Sequence, residues 1–421
     1  MDDGVRLSSL DQINDPMGVP LSALDPADPA LFEQDAWEAV FARLRREDPV
    51  HYCETPHIEV GPYWSVTRYQ DIMAVDTNHK DFSSSWTYGG ITLRDFDEDF
   101  QLPMFIAMDP PKHDIQRKAV QPIVAPDNLA RLEGTIAERV RLIFDALPVG
   151  ETFNWVDKVS IELTTQMLAT LFDFPWDDRR KLTRWSDVAT AMPGHGIVDT
   201  EDQRRAELLE CADYFTRLWN ERVNAPPKPD LISMLAHNEA TRNMDRMEFL
   251  GNLILLIVGG NDTTRNSITG GVLALNQNPA EYDKLRADPS LIPNMVSEII
   301  RWQTPLAYMR RTATRDVEMH GKTIRKGDKV AMWYISGNRD ESEIANAHQF
   351  LIDRPRARHH MSFGYGIHRC VGNRLAEMQL RIVWEEIQKR YSFVEVMGPP
   401  RRVYSSFVKG YESMPVRLHA R

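Results

Sequence analysis

Apolar residues recur every three or four positions through much of the chain, the period of an amphipathic helix. Phe32, Trp37, Val40, Phe41 and Leu44 share one helical face, which predicts a helix over 31–46. Similar patterns predict helices over 71–78, 126–147, 155–171, 177–190 and 201–223. Residues 245–277 read as one longer helix, apolar nearly all round and stopped by Asn278-Pro279. A helix of that kind belongs in a core. Strand patterns are fewer: 58–67, broken at Gly61-Pro62 and alternating from Tyr63, and the stretch that follows Thr304. Residues 1–30 hold Pro16, Pro20, Pro26 and Pro29 and read as an extended arm. The expected fold is mainly α with small β-sheets, the arm preceding one large body over 31–421.

The informative places are those where the periodicity fails. Residues 82–108 are irregular yet rich in apolar side chains, and long structureless loops inside compact domains are often functional. The run 363–372 is a glycine-punctuated loop that presents one sulfur, Cys370, and then enters a helix of good formers from Asn373. A thiol just before a helix N-terminus is favoured as thiolate by the dipole and the free N–H groups, which suits an axial metal ligand. A cysteine by itself would equally suit a small buried apolar position. In the middle of the long helix stand Gly259-Gly260-Asn261-Asp262-Thr263-Thr264. Each glycine there costs about 1 kcal/mol relative to alanine, repaid either by close helix packing or by room for a ligand. Thr263 can hydrogen-bond the carbonyl of Gly259, four residues back, and Arg265 can pair with Asp262. His113 and Arg117 lie on one face after Asp109-Pro110-Pro111, as do Glu298 and Arg301 among apolar flanks.

Composition removes several function classes. The net charge of −11 does not favour nucleic acid. The three cysteines form no CxxC or CxxCH, so no zinc site, redox dithiol or covalently attached haem is expected, and so few fit a reducing, cytoplasmic setting. The longest strongly apolar run, 253–258, is too short to span a bilayer, and the acidic N-terminus lacks a signal-like apolar region, so no membrane anchor is expected.

Phe363, Gly366, Cys370 and Gly372, with His368 two residues before the cysteine, resemble the haem-binding loop of the cytochrome P450 family. The match continues in order from about residue 30: the Asp-Pro-Pro-Lys-His segment, the small-residue–acid–Thr run of the long helix, Glu298-Ile299-Ile300-Arg301 as ExxR, and Arg311 before Thr312-Ala313. The resemblance implies a P450 fold, with residues 31–421 as one catalytic domain whose long central helix crosses a buried haem. It implies haem b with Cys370 as the metal ligand, and Phe363, Gly364, Gly259 and Gly372 lining the cofactor. His113, Arg117, Arg311 and His368 would hold the propionates, Arg310 being the poorer choice beside Arg311. Thr263 and Asp262 would be catalytic, relaying protons during dioxygen activation. Glu298, Arg301 and Arg354 would form a structural network, residues 82–108 would shape the pocket, and the 177–223 region would be its lid.

Segments 41–52, 61–69, 89–93 and 304–311 resemble the bacterial terminal alkane and medium-chain fatty-acid hydroxylases. That implies monooxygenation of an apolar chain end, with Ile106, Leu255, Val258, Gly259, Leu306, Met309 and Phe407 at the substrate. No flavin or iron–sulfur domain fits in the chain, so a separate [2Fe–2S] ferredoxin and its NAD(P)H-dependent reductase are the expected partners. Their docking face would carry Arg117, Lys118, Arg369 and Arg374. Terpenoid or steroid hydroxylation is the alternative within the family. A haem-thiolate sensor or electron carrier is the alternative outside it, and would not need Asp262-Thr263.

Overall fold

The computed structural model describes residues 9–95 and 99–421. Its axis is the helix Arg246–Gln277, 32 residues long and so about 48 Å from end to end. Asp245 starts it, its carboxylate accepting from the N–H groups of Met247 and Glu248. The helices Pro126–Asp145, Glu162–Phe172, Arg180–Thr190, Glu201–Val223, Ile292–Gln303 and Asn373–Arg390 surround it and contribute to one apolar core. Most of the central helix is buried, as its all-round apolar character predicts. Among the described residues no helix is long and apolar enough to cross a membrane.

A five-stranded sheet lies to one side. Its strands run in the spatial order Val50–Cys53, Tyr63–Val66, Lys329–Met332, Met309–Ala313 and Phe82–Ser83, with Tyr63–Val66 and Lys329–Met332 parallel and the other pairs antiparallel. Three smaller sheets complete the β content among the described residues.

Local differences from the sequence reading have identifiable causes. The single helix expected over 31–46 is two, Pro29–Glu33 and Trp37–Glu47, because Asp35 adopts a left-handed φ of 57° between them. The strand expected over 58–67 is confined to Tyr63–Val66, and its partner Val50–Cys53 is too short to show an alternation. The helix expected from 155 opens as a wide π turn, Val156–Ile161, before becoming α-helical at Glu162. The described part of the arm is not simply extended. Ser9–Asn14 is helical, and Gln12 is buried, accepting from the Asp25 N–H at 3.1 Å and donating to the Asp28 carboxylate at 3.0 Å. Val19, Leu24 and Ala27 then join Leu31, Phe32, Trp37, Tyr308 and Trp333 in a second apolar cluster, against which Phe407 packs.

Candidate functional site

The cysteine loop is held by its backbone. Gly366 takes a φ of 63°, and a Cβ there would come within 2.7 Å of the Asp76 carbonyl oxygen, so only glycine fits. The Cys370 N–H donates to the Phe363 carbonyl at 2.8 Å, closing the loop three residues ahead of the helix Asn373–Arg390. The Cys370 side chain is accessible, yet protein hems it in closely enough that burial pushes its thiol up. The Gly372 N–H, Arg117 and Arg369 pull the other way. A directly bound cation would settle this contest in favour of the thiolate, because a coordinating thiol is deprotonated outright.

Beside this loop lies a cluster of imidazole and guanidinium groups. The His113 and His368 rings meet edge to face at 4.4 Å. His113 Nδ1 pairs with Asp114 at 2.8 Å and His368 Nε2 with the Ser84 hydroxyl at 2.7 Å. The other nitrogen of each ring, His113 Nε2 and His368 Nδ1, is buried and without a partner among the described residues. Burial lowers both imidazoles, and the charges of Arg311 and Arg117 press His368 down further. Arg117 donates to the carbonyl of Arg369, next to Cys370. Arg311 ion-pairs with buried Asp76 at 2.8 Å, and Asp76 also accepts from Tyr334 Oη and the Tyr365 N–H. Arg310 turns the other way, toward the Tyr88 carbonyl and Asp95. Asp76 and Ser84 escape sequence reading, since nothing in their local pattern separates them from acids and hydroxyls on a solvated surface.

The two central glycines do different work. A Cβ on Gly260 would approach Leu168 Cδ2 to 2.8 Å, so that glycine serves helix packing. A Cβ on Gly259 would meet nothing within 4 Å, and Gly259 is exposed in the middle of a largely buried helix, beside half-buried Leu255, Val258 and Thr263. Gly372 is open in the same sense. Thr263 Oγ1 donates to the Gly259 carbonyl at 3.1 Å. Asp262 is fully buried and pairs with Arg265 at 2.8 Å, while Arg265 reaches Asp187 of the helix Arg180–Thr190, also at 2.8 Å. Ser186 and Thr190 of that helix donate to Asp262 at 3.2 and 3.4 Å. Burial raises Asp262 above the usual carboxylate range, with Arg265 opposing and Asp187 reinforcing the shift. Two carboxylates sharing one guanidinium make a place where a proton is readily bound.

Ile106, Leu255, Val258, Leu306, Met309 and Phe407 are each only half-buried, although their chain neighbours Phe105, Ile254, Ile257, Ala307, Tyr308 and Val408 are buried. Leu306 bridges to Val408, which sets the Phe407 turn beside the strand that carries Met309, and Phe407 rests edge-on against Tyr308 at 5.3 Å. Glu298, Arg301 and Arg354 form a closed network. Glu298 pairs with Arg301 at 2.7 Å and with Arg354 at 2.9 Å, and the guanidinium groups also donate to carbonyls of Asn338, Ala347 and Gln349. All three side chains are buried, so the network secures the segment leading to the cysteine loop.

These residues fit a haem: an accessible thiol, two orphaned imidazole nitrogens, and two glycines whose missing side chains leave open room. The comparisons agree. A family model described as Cytochrome P450 matches residues 197–409. Linalool 8-monooxygenase of Pseudomonas putida is 36% identical over 403 residues, covering 94% of this chain and 98% of that protein. The methyl-branched lipid omega-hydroxylase of Mycobacterium bovis is 32% identical over 95% of this chain and 96% of its own length. The solved structure of cytochrome P450-153 from Novosphingobium aromaticivorans superposes with a TM-score of 0.88 at 49% identity, covering 94% of this chain and 99% of that one. The chain belongs to the cytochrome P450 family and is a haem-thiolate monooxygenase of that family.

Proposed function

We propose that the protein hydroxylates the terminal carbon of medium-chain alkanes or fatty acids, using haem b held by the Cys370 thiolate. The observation that carries this reading is the open face of Gly259 beside Thr263, in a chain whose Cys370 is accessible. His113, Arg117, Arg311 and His368 would take the propionates: the two imidazoles each keep a buried nitrogen without a partner, and the guanidinium groups carry more N–H donors than their bonds to Arg369 and Asp76 use. Phe363, Gly364 and Gly372 would lie against the macrocycle. Bound there, the haem supplies dioxygen reduction and C–H oxidation. The chain supplies protons and position. Asp262, raised by burial, takes up a proton from the lid side, and the Thr263 hydroxyl holds it over the open face. Six half-buried apolar side chains and Gly259 orient a hydrocarbon chain and exclude water.

The lipid omega-hydroxylase name of one relative supports attack at a chain end. The linalool 8-monooxygenase name of another favours a second reading, a terpenoid alcohol in the same pocket. Spin-state titration and product analysis with medium-chain alkanes, fatty acids and terpenoids separate the two, and only subterminal products would overturn the first. Cys370→Ser tests the ligand: turnover and the reduced, carbon-monoxide-bound spectrum should both be lost, and their retention would refute the assignment.

Electrons would come from a [2Fe–2S] ferredoxin and its reductase. Lys118, Arg369 and Arg374 are exposed and Arg117 partly so, around a surface that also exposes Ile115. An acidic ferredoxin face complements this patch. Charge reversal at these four residues should slow reduction several-fold at low salt, and an unchanged rate would remove the docking site.

A further inference from the structure

Away from the haem site, the structure encloses a polar cavity of about 90 Å3 between the first helices, the C-terminal half of the central helix and the C-terminal strands. Its wall carries three cations, Arg339, Arg402 and Lys409, and two carboxylates, Asp35 and Glu38. Two of the cations are inside and Arg402 is at the rim. Lys409 is 6% exposed and Arg339 1%. Neither forms an ion pair among the described residues. Lys409 Nζ donates to the Gln303 carbonyl at a long 3.3 Å and lies 5.1 Å from the Trp37 ring centroid. Arg339 donates to the Trp302 carbonyl at 2.9 Å and stacks over the Trp302 ring at 4.0 Å, leaving its Nε buried and unpartnered. Arg402 Nη1 is also buried without a partner among the described residues. The carboxylates stand at the rim, with side chains 41% and 42% exposed, and are already engaged: Asp35 with Arg402 Nη2 at 2.5 Å, Glu38 with His348 at 2.5 Å.

Such an arrangement is costly, because carbonyls and aromatic faces repay only part of the hydration that a buried cation without an ion-pair partner loses. Burial drags the Lys409 ammonium down to about 7 and the Arg339 guanidinium down to about 9. Water would satisfy the donors but not the charge. The cavity has room for roughly three waters, or for one tetrahedral anion of similar bulk.

We propose that this cavity binds one inorganic oxyanion of phosphate size, held by Lys409, Arg339 and Arg402. The anion would stiffen the C-terminal segment. Lys409 follows Phe407 by two residues, and Gln303 clamps the same stretch by donating to the Lys409 carbonyl at 2.7 Å and accepting from Tyr411 Oη at 2.9 Å.

The test is the melting temperature of the holoenzyme, titrated with inorganic phosphate while sodium chloride holds the ionic strength constant. The expected result is a saturable rise of about 3 °C once phosphate exceeds half-saturation roughly 100-fold. Lys409→Met and Arg402→Gln should each abolish the rise. Should Lys409→Met fail to fold, Arg402→Gln carries the test, since that side chain sits on a short edge strand at the cavity rim. No saturable rise, an equal rise with chloride alone, or an undiminished rise in the folded variants overturns the proposal.

Discussion

Two buried clusters of charge in this molecule are built on opposite plans. Around Glu298, each guanidinium meets a carboxylate and several backbone carbonyls, and the group is closed. Around His113 and His368, one nitrogen of each ring is buried with nothing to bond among the described residues. The closed cluster serves the protein's own structure, whereas the open one is shaped for something the chain does not itself contain. Completeness of hydrogen bonding thus separates scaffold from site more sharply than burial or charge, which the two clusters share.

The contrast has measurable consequences. Glu298→Gln strips the carboxylate from two buried arginines and should cost the apoprotein about 3–5 kcal/mol, read by denaturant unfolding without haem. A loss below about 1 kcal/mol would show that the closed network is not structural. His113→Phe removes an orphaned nitrogen and one pair to the half-exposed Asp114, so the apoprotein should lose less than about 1 kcal/mol, whereas haem loss to an acceptor globin should quicken about 10–100-fold for one missing charge-assisted bond. Were the apoprotein to suffer and haem release stay the same, the two plans would be the wrong way round.

Asp262 lies between these extremes, paired yet raised. Its folded-state affinity for a proton exceeds the unfolded one, so the folded form binds more protons between about pH 4 and the raised value. Stability attributable to this group is therefore greatest at the acid end and falls as pH rises through that window. Asp262→Asn should flatten the fall, measured by unfolding at a series of pH values, and should lower turnover about 100-fold with reducing equivalents diverted to peroxide. The smallest effect belongs to the glycines. Gly259→Ala gains helix propensity without meeting any protein atom, so the apoprotein should be about 0.5–1 kcal/mol more stable while substrate affinity drops. Gly260→Ala must displace Leu168 and should show no such gain.

Much of the site was readable because its chemistry is local. The run from Phe363 to Gly372 shows its glycine spacing and its one sulfur within ten residues, and Thr263 finds its acceptor one turn back. The Asp262–Arg265 pair follows from helical spacing alone. Asp76, Ser84 and Asp187 were not readable, because each meets its partner across a gap in sequence that no periodicity spans. The split at Asp35 is not legible for a different reason: neither glycine nor proline marks it, although the turn is local, the Ala36 N–H closing onto the Leu31 carbonyl at 2.8 Å.

The arm's apolar cluster has a practical corollary. Val19, Leu24 and Ala27 share a packing unit with Tyr308, and Tyr308 supports the ring of Phe407. Trimming the amino terminus to ease expression would therefore loosen the support of Phe407, and with it one wall of the proposed substrate pocket, so regioselectivity data from shortened versions would describe a different enzyme.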